Sequence, residues 1–156
     1  MLRKLIAVLS VLALSITGVA FAAKKKHKPV KTSGTAYAAV THSTGGFTYL
    51  AGDAKDKKFG AGALVYKTKL GSGSQPNTVH VDARKITIFF AKGSLTGKGG
   101  ADQTQGPNNT SVLKNGTFSL TKGTGAYKGK TLKGTFAGTF NGSAYKYTYK
   151  ATLKTK

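Results

Sequence analysis

Acidic and guanidinium side chains are scarce in this 156-residue chain, so the few present are the first candidates for chemistry. There are four acids, Asp53, Asp56, Asp82 and Asp102, and no glutamate. Beyond the first few residues Arg84 is the only arginine. The pattern Val79-His80-Val81-Asp82-Ala83-Arg84 puts Val79, Val81 and Ala83 on one side of a strand and His80, Asp82 and Arg84 on the other. Turned into a cavity, Asp82 and Arg84 orient a polar ligand group. Turned outward, they form an i, i+2 surface ion pair, which is the more common fate of a polar strand face. Asp53 and Asp56 lie in AGDAKDKKFG among Lys55, Lys57 and Lys58. Two carboxylates fall short of the oxygen set that calcium needs, so a charge-balanced turn is expected there and no metal site. His27, His42 and His80 lack metal-ligand spacing, and with no cysteine there is neither thiol chemistry nor a disulfide.

GTGAYKGKT, residues 123–131, imitates a phosphate cradle. The P-loop pattern fails, because the position five before Gly129 is Thr124. The dinucleotide fingerprint fails too, because its third glycine falls on Lys128. Both motifs must open a helix, and TLKGTFAGTF, which follows, alternates with a two-residue period. Gly123, Thr124, Gly125, Tyr127 and Gly129 are therefore read as a tight connection between strands, with Tyr127 folded over a barrel end.

The elements that position these residues are strands. Alternation with glycine punctuation marks segments 34–41, 47–51, 60–70, 78–83, 85–91 (with GSLTGKG as its extension), 111–122, 132–140 and 144–154. In the last, Tyr145, Tyr147, Tyr149, Ala151 and Leu153 oppose Lys146, Thr148, Lys150, Thr152 and Lys154. Leu64, Tyr66 and Leu70 share a parity in the third. Asn141-Gly142 marks a two-residue hairpin and Asn115-Gly116 a bulge. Eight short antiparallel strands with one apolar face predict an all-β fold, a single closed eight-stranded barrel, with a β-sandwich as the alternative. Closure removes exposed edges, and Gly62, Gly134 and Gly138 suit the bends of a small barrel. Tyr66, Phe90, Phe118, Phe136, Phe140 and Tyr147 are expected to line its core or cavity.

Residues 1–22 read as a signal peptide: a basic start, an uncharged apolar run, and Ala20-Phe21-Ala22 as the cleavage site. An uncleaved anchor is the rival. Residues 23–33 read as a flexible basic arm and 34–156 as the barrel domain. Of the 25 Lys and Arg, Arg3 and Lys4 lie in the leader, so the rest carries 23 against four acids. Such a surface attracts polyanions. Lysine supplies point charges where arginine would supply a planar fork, which suits diffuse attraction to anionic envelope polymers better than specific nucleic-acid recognition. The tyrosines and lysines of 144–154 point to opposite faces, which disfavours a base-stacking platform.

Four segments together carry a family resemblance. FGAGALVY (59–66), FFAKGSLTGKG (89–99), NGTFSLTKGTGAY (115–127) and GTGAYKGKTLKG (123–134) resemble, in order, the motifs of the allene oxide cyclase-like and dirigent-like barrels, over roughly residues 50–140. The chain is also similar to small secreted bacterial proteins of this type, actinobacterial ones above all. The resemblance implies an eight-stranded antiparallel barrel, often a homotrimer, with an apolar cavity and no metal or organic cofactor. It implies that an acidic site residue falls on Asp53 or Asp56. Where plant dirigent proteins carry an arginine after the glycine-rich segment, this chain has Lys130, Thr131 and Lys133. The expected function is therefore a secreted cationic binding barrel, for a small apolar ligand, an anionic envelope polymer or both. A cofactor-free enzyme steering a reactive intermediate and a structural envelope protein are the alternatives.

Overall fold

The computed structural model describes residues 28–73 and 75–155. The predicted signal peptide and residues 23–27 of the predicted arm lie outside them. The described chain is a closed antiparallel barrel in which each strand pairs with its sequence neighbours and β8 returns to β1. The strands are β1 (Val30–Thr44), β2 (Phe47–Asp56), β3 (Gly60–Ser72), β4 (Thr78–Phe90), β5 (Gly93–Gln105), β6 (Ser111–Gly123), β7 (Lys130–Phe140) and β8 (Ala144–Thr155). A single 3₁₀ turn, Gly125–Tyr127, joins β6 to β7. The closed barrel is the predicted architecture, and the sandwich is set aside.

Several boundaries differ from expectation, each for a physical reason. Val30 to Ser33, expected in the arm, begin β1 because they pair with Leu153 to Lys150 of β8. The segments 78–83 and 85–91 are one strand. A bulge at Arg84-Lys85, with Lys85 at φ 52°, inserts one residue and shifts the inward phase from Val81 and Ala83 to Ile86, Ile88 and Phe90. That phase change is what looked like a strand break. The GSLTGKG segment is no extension of it but the start of β5, whose inward positions are Leu95, Gly97, Gly99, Ala101 and Gln103. The β7–β8 loop holds three residues, 141–143, because Asn141 caps it: its Oδ1 accepts from the backbone N–H of Ser143 and Ala144. Leu70 keeps the inward parity but lies near the end of β3 and is 59 % exposed. The bulge at Asn115-Gly116 is present, with Asn115 at φ 52°.

The interior is mainly apolar, with a few polar clusters, and the outer wall is dominated by lysine and threonine, the inverse of a barrel with a lipid-facing apolar band. At one end Leu120, Leu132 and Leu153 face each other across β6, β7 and β8, with Leu95 beside them, and all are buried. Each such leucine contributes about 2–3 kcal/mol by leaving water. Phe59, Phe90 and Tyr127 close that end, Phe59 edge to face with the other two and Phe90 tilted against Tyr127, at 5.6–5.9 Å between ring centres. Four of the large aromatics fit inside because each lies over a glycine on a neighbouring strand. Phe90 covers Gly62, Phe136 covers Gly116, Tyr147 covers Gly138 and Tyr149 covers Gly34. A methyl group on any of these four would stand within 2.8 Å of the ring above it.

Candidate functional site

Three interior polar clusters and one outer furrow are the places where chemistry or binding can occur. The first cluster lies mid-barrel. Tyr66 of β3 and Tyr147 of β8 meet with their hydroxyls 2.6 Å apart. Two phenols share that one hydrogen bond, and an apolar cavity lies beside them. This cavity measures about 80 Å³ and is lined by Tyr66, Ile86, Phe118, Phe136, Tyr147 and Tyr149 among others. Burial pushes the Tyr66 and Tyr147 hydroxyls far above the ordinary tyrosine range, so at neutral pH they are donors and not bases.

The second cluster is built on Asp56, the last residue of β2 and 3 % exposed. Thr32 Oγ1 donates to Asp56 Oδ1 (2.5 Å) and the Tyr149 hydroxyl donates to Oδ2 (2.7 Å). The backbone N–H groups of Lys58 and Phe59 also donate to Oδ1, at 2.7 and 3.0 Å. The charge-balanced turn expected here is thus a hydrogen-bonded one. No lysine pairs with Asp56; its charge is held by four donors that tie β1, β8 and the β2–β3 turn together. Tyr149 turns its ring to the cavity and spends its hydroxyl on Asp56, so the carboxylate itself does not border the cavity. Burial raises the Tyr149 hydroxyl first, and its bond to Asp56 raises it further. The third cluster closes the other end: Tyr145 donates to Gln103 Oε1 (3.1 Å), and Gln103 Nε2 donates to Ser111 (3.0 Å).

The remaining predicted site residues fall in separate places. Asp53 is exposed on the outer wall opposite Tyr37 and Ala63. Arg84 Nε donates to Asp82 Oδ2 at 2.7 Å on the outside of β4, so this is the surface ion pair and no part of the cavity. His80 meets Asp102 at 3.1 Å beside it, and that hydrogen bond holds the Asp102 carboxyl below its usual range. Phe118, Phe136, Tyr66 and Tyr147 line the cavity; Phe90 belongs to the closed end and Phe140 stacks on Tyr145 at the other. The glycine-rich segment is the β6–β7 connection. Gly125 and Gly129 take φ of 54° and 70°, and Thr124 Oγ1 accepts from the backbone N–H of Ser94. Tyr127 is buried over the barrel end, as expected.

Sequence reasoning missed the furrow on the outer wall of β7, β8, β1 and β2, which at its widest reaches Ala61 of β3 and Val112–Lys114 of β6. Three adjoining depressions of about 1030, 680 and 490 Å³ run along it. The first and second share Thr35, Lys55, Ala137 and Thr148; the second and third share Ser33, Lys57, Thr135 and Lys150. The floor is small and hydroxylic: Thr148 sits between Ala137 and Thr35 across the strands. The walls are lysines that never stand directly opposite one another. Lys150 lies between Thr135 and Ser33, and Thr152 between Lys133 and Lys31. This spacing avoids the penalty of like charges in register. Among the described residues the Arg84–Asp82 ion pair and the His80–Asp102 contact contain no lysine. The alternation in β8 was readable, but the furrow depends on the register of four strands and on which side chains are short.

Fold and site together define a closed eight-stranded barrel with a nearly filled interior and a cationic, furrowed outer wall. Compared with protein-family models, with curated proteins and with solved structures, the chain has no match.

Proposed function

We propose that this protein is an exported, non-catalytic binding barrel that attaches to anionic polymers through its lysine surface. The observation that carries the reading is the uncompensated charge. Two of the four acids are held in surface pairs and a third is buried, while the exposed lysines of β7, β8, β1 and β2 have no carboxylate partner among the described residues. Export is read from the leader pattern of residues 1–22. Kinship with the allene oxide cyclase-like and dirigent-like barrels remains our reading as well. Its support is the closed eight-stranded architecture and the seating of GTGAY as a strand connection.

The interior supports this choice by its size. Small-molecule sites measure about 300–1,000 Å³, and an apolar cavity of about 150 Å³ holds benzene. At about 80 Å³, the cavity beside Tyr66 and Tyr147 has room for only a few heavy atoms. An enzyme would also need an acid or base in reach of substrate, and Asp56 is walled off by Tyr149.

The test is the salt dependence of binding to a soluble polyanion. If about five lysines each displace a counterion with a slope near 0.7, affinity falls about a hundredfold between about 50 and 200 mM salt. A flat dependence, or no binding at the lower salt, refutes the proposal.

A further inference from the structure

Resting on that reading, we infer that the furrow along β8 is a seat for one extended polyol-phosphate chain, a flexible polymer of phosphodiesters and hydroxylated carbons. The proposal replaces diffuse attraction by a built site with a direction, a floor and two walls.

The direction comes from the fold. The three depressions follow one another along β8, from Lys146 and Tyr37 to Lys31 and Lys133. Successive outward residues on a strand are about 7 Å apart. At each such step the furrow offers cations: Lys146, then Lys55, then Lys150 with Lys57, then Lys133 with Lys31. Lys57 takes its place in the third step because its backbone N–H donates to Ser33 O, which brings it beside the Lys150 row. A linear polyanion lying along β8 therefore meets positive charge at every step. Lysines also recur across the strands, as in the row Lys31, Thr152, Lys133, Ser119 and Lys98, so it is the succession of the depressions along β8 that sets the direction. Asp53, at the Lys146 end, is the one exposed acid in the furrow; Asp56 borders the middle depression but is 3 % exposed, with both carboxylate oxygens already taken by Thr32, Tyr149 and the turn N–H groups.

The floor selects the kind of chain. Thr148, Thr35, Thr135 and Ser33 present short hydroxyls that can donate to phosphate oxygens and exchange hydrogen bonds with polymer hydroxyls. Base recognition would need something else. Arg84 lies outside the furrow and is engaged by Asp82. Tyr37, at one end, is the only aromatic ring standing outward in the furrow, where a single-strand platform uses a succession of stacked rings. Lysine binds phosphate as a point charge and does not require the geometry that arginine imposes. The chain that fits is thus phosphodiester in charge, hydroxylated, slender and without bases.

The probe is a synthetic poly(glycerol phosphate) of defined length, titrated against the protein by calorimetry at low salt. Three variants separate site from surface. The furrow variant is Lys57→Gln, Lys133→Gln and Lys150→Gln together. The control is Lys92→Gln, Lys98→Gln and Lys122→Gln, which removes the same charge from the β4–β6 side. Thr148→Phe fills the floor and leaves every charge in place, with Ala137→Phe as its substitute should that protein fail to fold. We expect at least a tenfold weaker affinity for the furrow variant, less than threefold for the control, and at least tenfold for the floor-filling variant. Equal losses in the two lysine variants, or an unchanged affinity on filling the floor, overturn the furrow and leave the general surface reading standing. Absence of binding by the unaltered protein overturns both. A single-stranded oligodeoxythymidine of equal charge that binds more tightly than the polymer overturns the assigned occupant.

Discussion

Replacing Asp56 by alanine separates a structural carboxylate from a catalytic one. The side chain accepts from Thr32, Tyr149 and the backbone of Lys58 and Phe59. Asp56→Ala leaves the buried Tyr149 hydroxyl without its acceptor, which costs about 1–3 kcal/mol. The two turn N–H groups and Thr32 reach water more easily, and their lost bonds add about 0.5–1 kcal/mol each. The total is about 2.5–6 kcal/mol. For a domain of this size, with each kcal/mol worth roughly 4 °C, the melting temperature falls by about 10–24 °C. Asp56→Asn keeps Oδ1 for three of the donors but turns an amide toward Tyr149, so about 1–2 kcal/mol is expected. Asp53→Ala, on the exposed wall, should change stability by less than about 0.5 kcal/mol. Urea denaturation followed by circular dichroism measures all three. An Asp56→Ala protein within about 1 kcal/mol of the original would refute the reasoning and return Asp56 to the list of catalytic candidates.

Alkali offers a second test. Folded-state burial raises the Tyr66, Tyr147 and Tyr149 hydroxyls above their ordinary value of 10.0. A group raised on folding contributes its stability below the unfolded value and loses it as pH climbs beyond. Stability should hold up to about pH 10 and then decline, with tyrosinate absorbance from these three appearing only as near-ultraviolet dichroism is lost; full reversible titration of all seven tyrosines in the folded barrel would contradict this. Gly134→Ala tests the packing of rings on glycine. Its new methyl would lie 2.2 Å from Lys150 O and 2.8 Å from the Phe118 ring, so a loss of about 1–3 kcal/mol is expected. Gly71→Ala, with its nearest neighbour at 3.9 Å, is the control and should be close to neutral in the same melts.

How far the sequence could lead depended on what kind of pattern each strand carried. β8 was plain because its inward side chains are tyrosine, alanine and leucine and its outward ones lysine and threonine. β5 was hidden because glycines hold two of its inward positions, Gly97 and Gly99, where the β6 backbone and the Phe118 and Ile86 side chains stand close. β4 was split in two because Lys85 takes a left-handed conformation and reverses the parity. The surface pairing of Asp82 with Arg84 followed from local alternation alone. By contrast, the side-chain partners of Asp56, Thr32 and Tyr149, lie 24 and 93 positions away, and no local rule links them. The furrow has the same character: Lys150, Ser33 and Lys57 become neighbours only once β8 has closed on β1.

Lysine acetylation read out by mass spectrometry, with and without saturating poly(glycerol phosphate), tests the polymer seat most directly. Each lysine reports its own accessibility, and the furrow and the opposite wall are compared within one sample. Protection of Lys31, Lys57, Lys133 and Lys150, with Lys92, Lys98 and Lys122 modified as fast as in the free protein, is the predicted result. Protection spread evenly over both sets would contradict it.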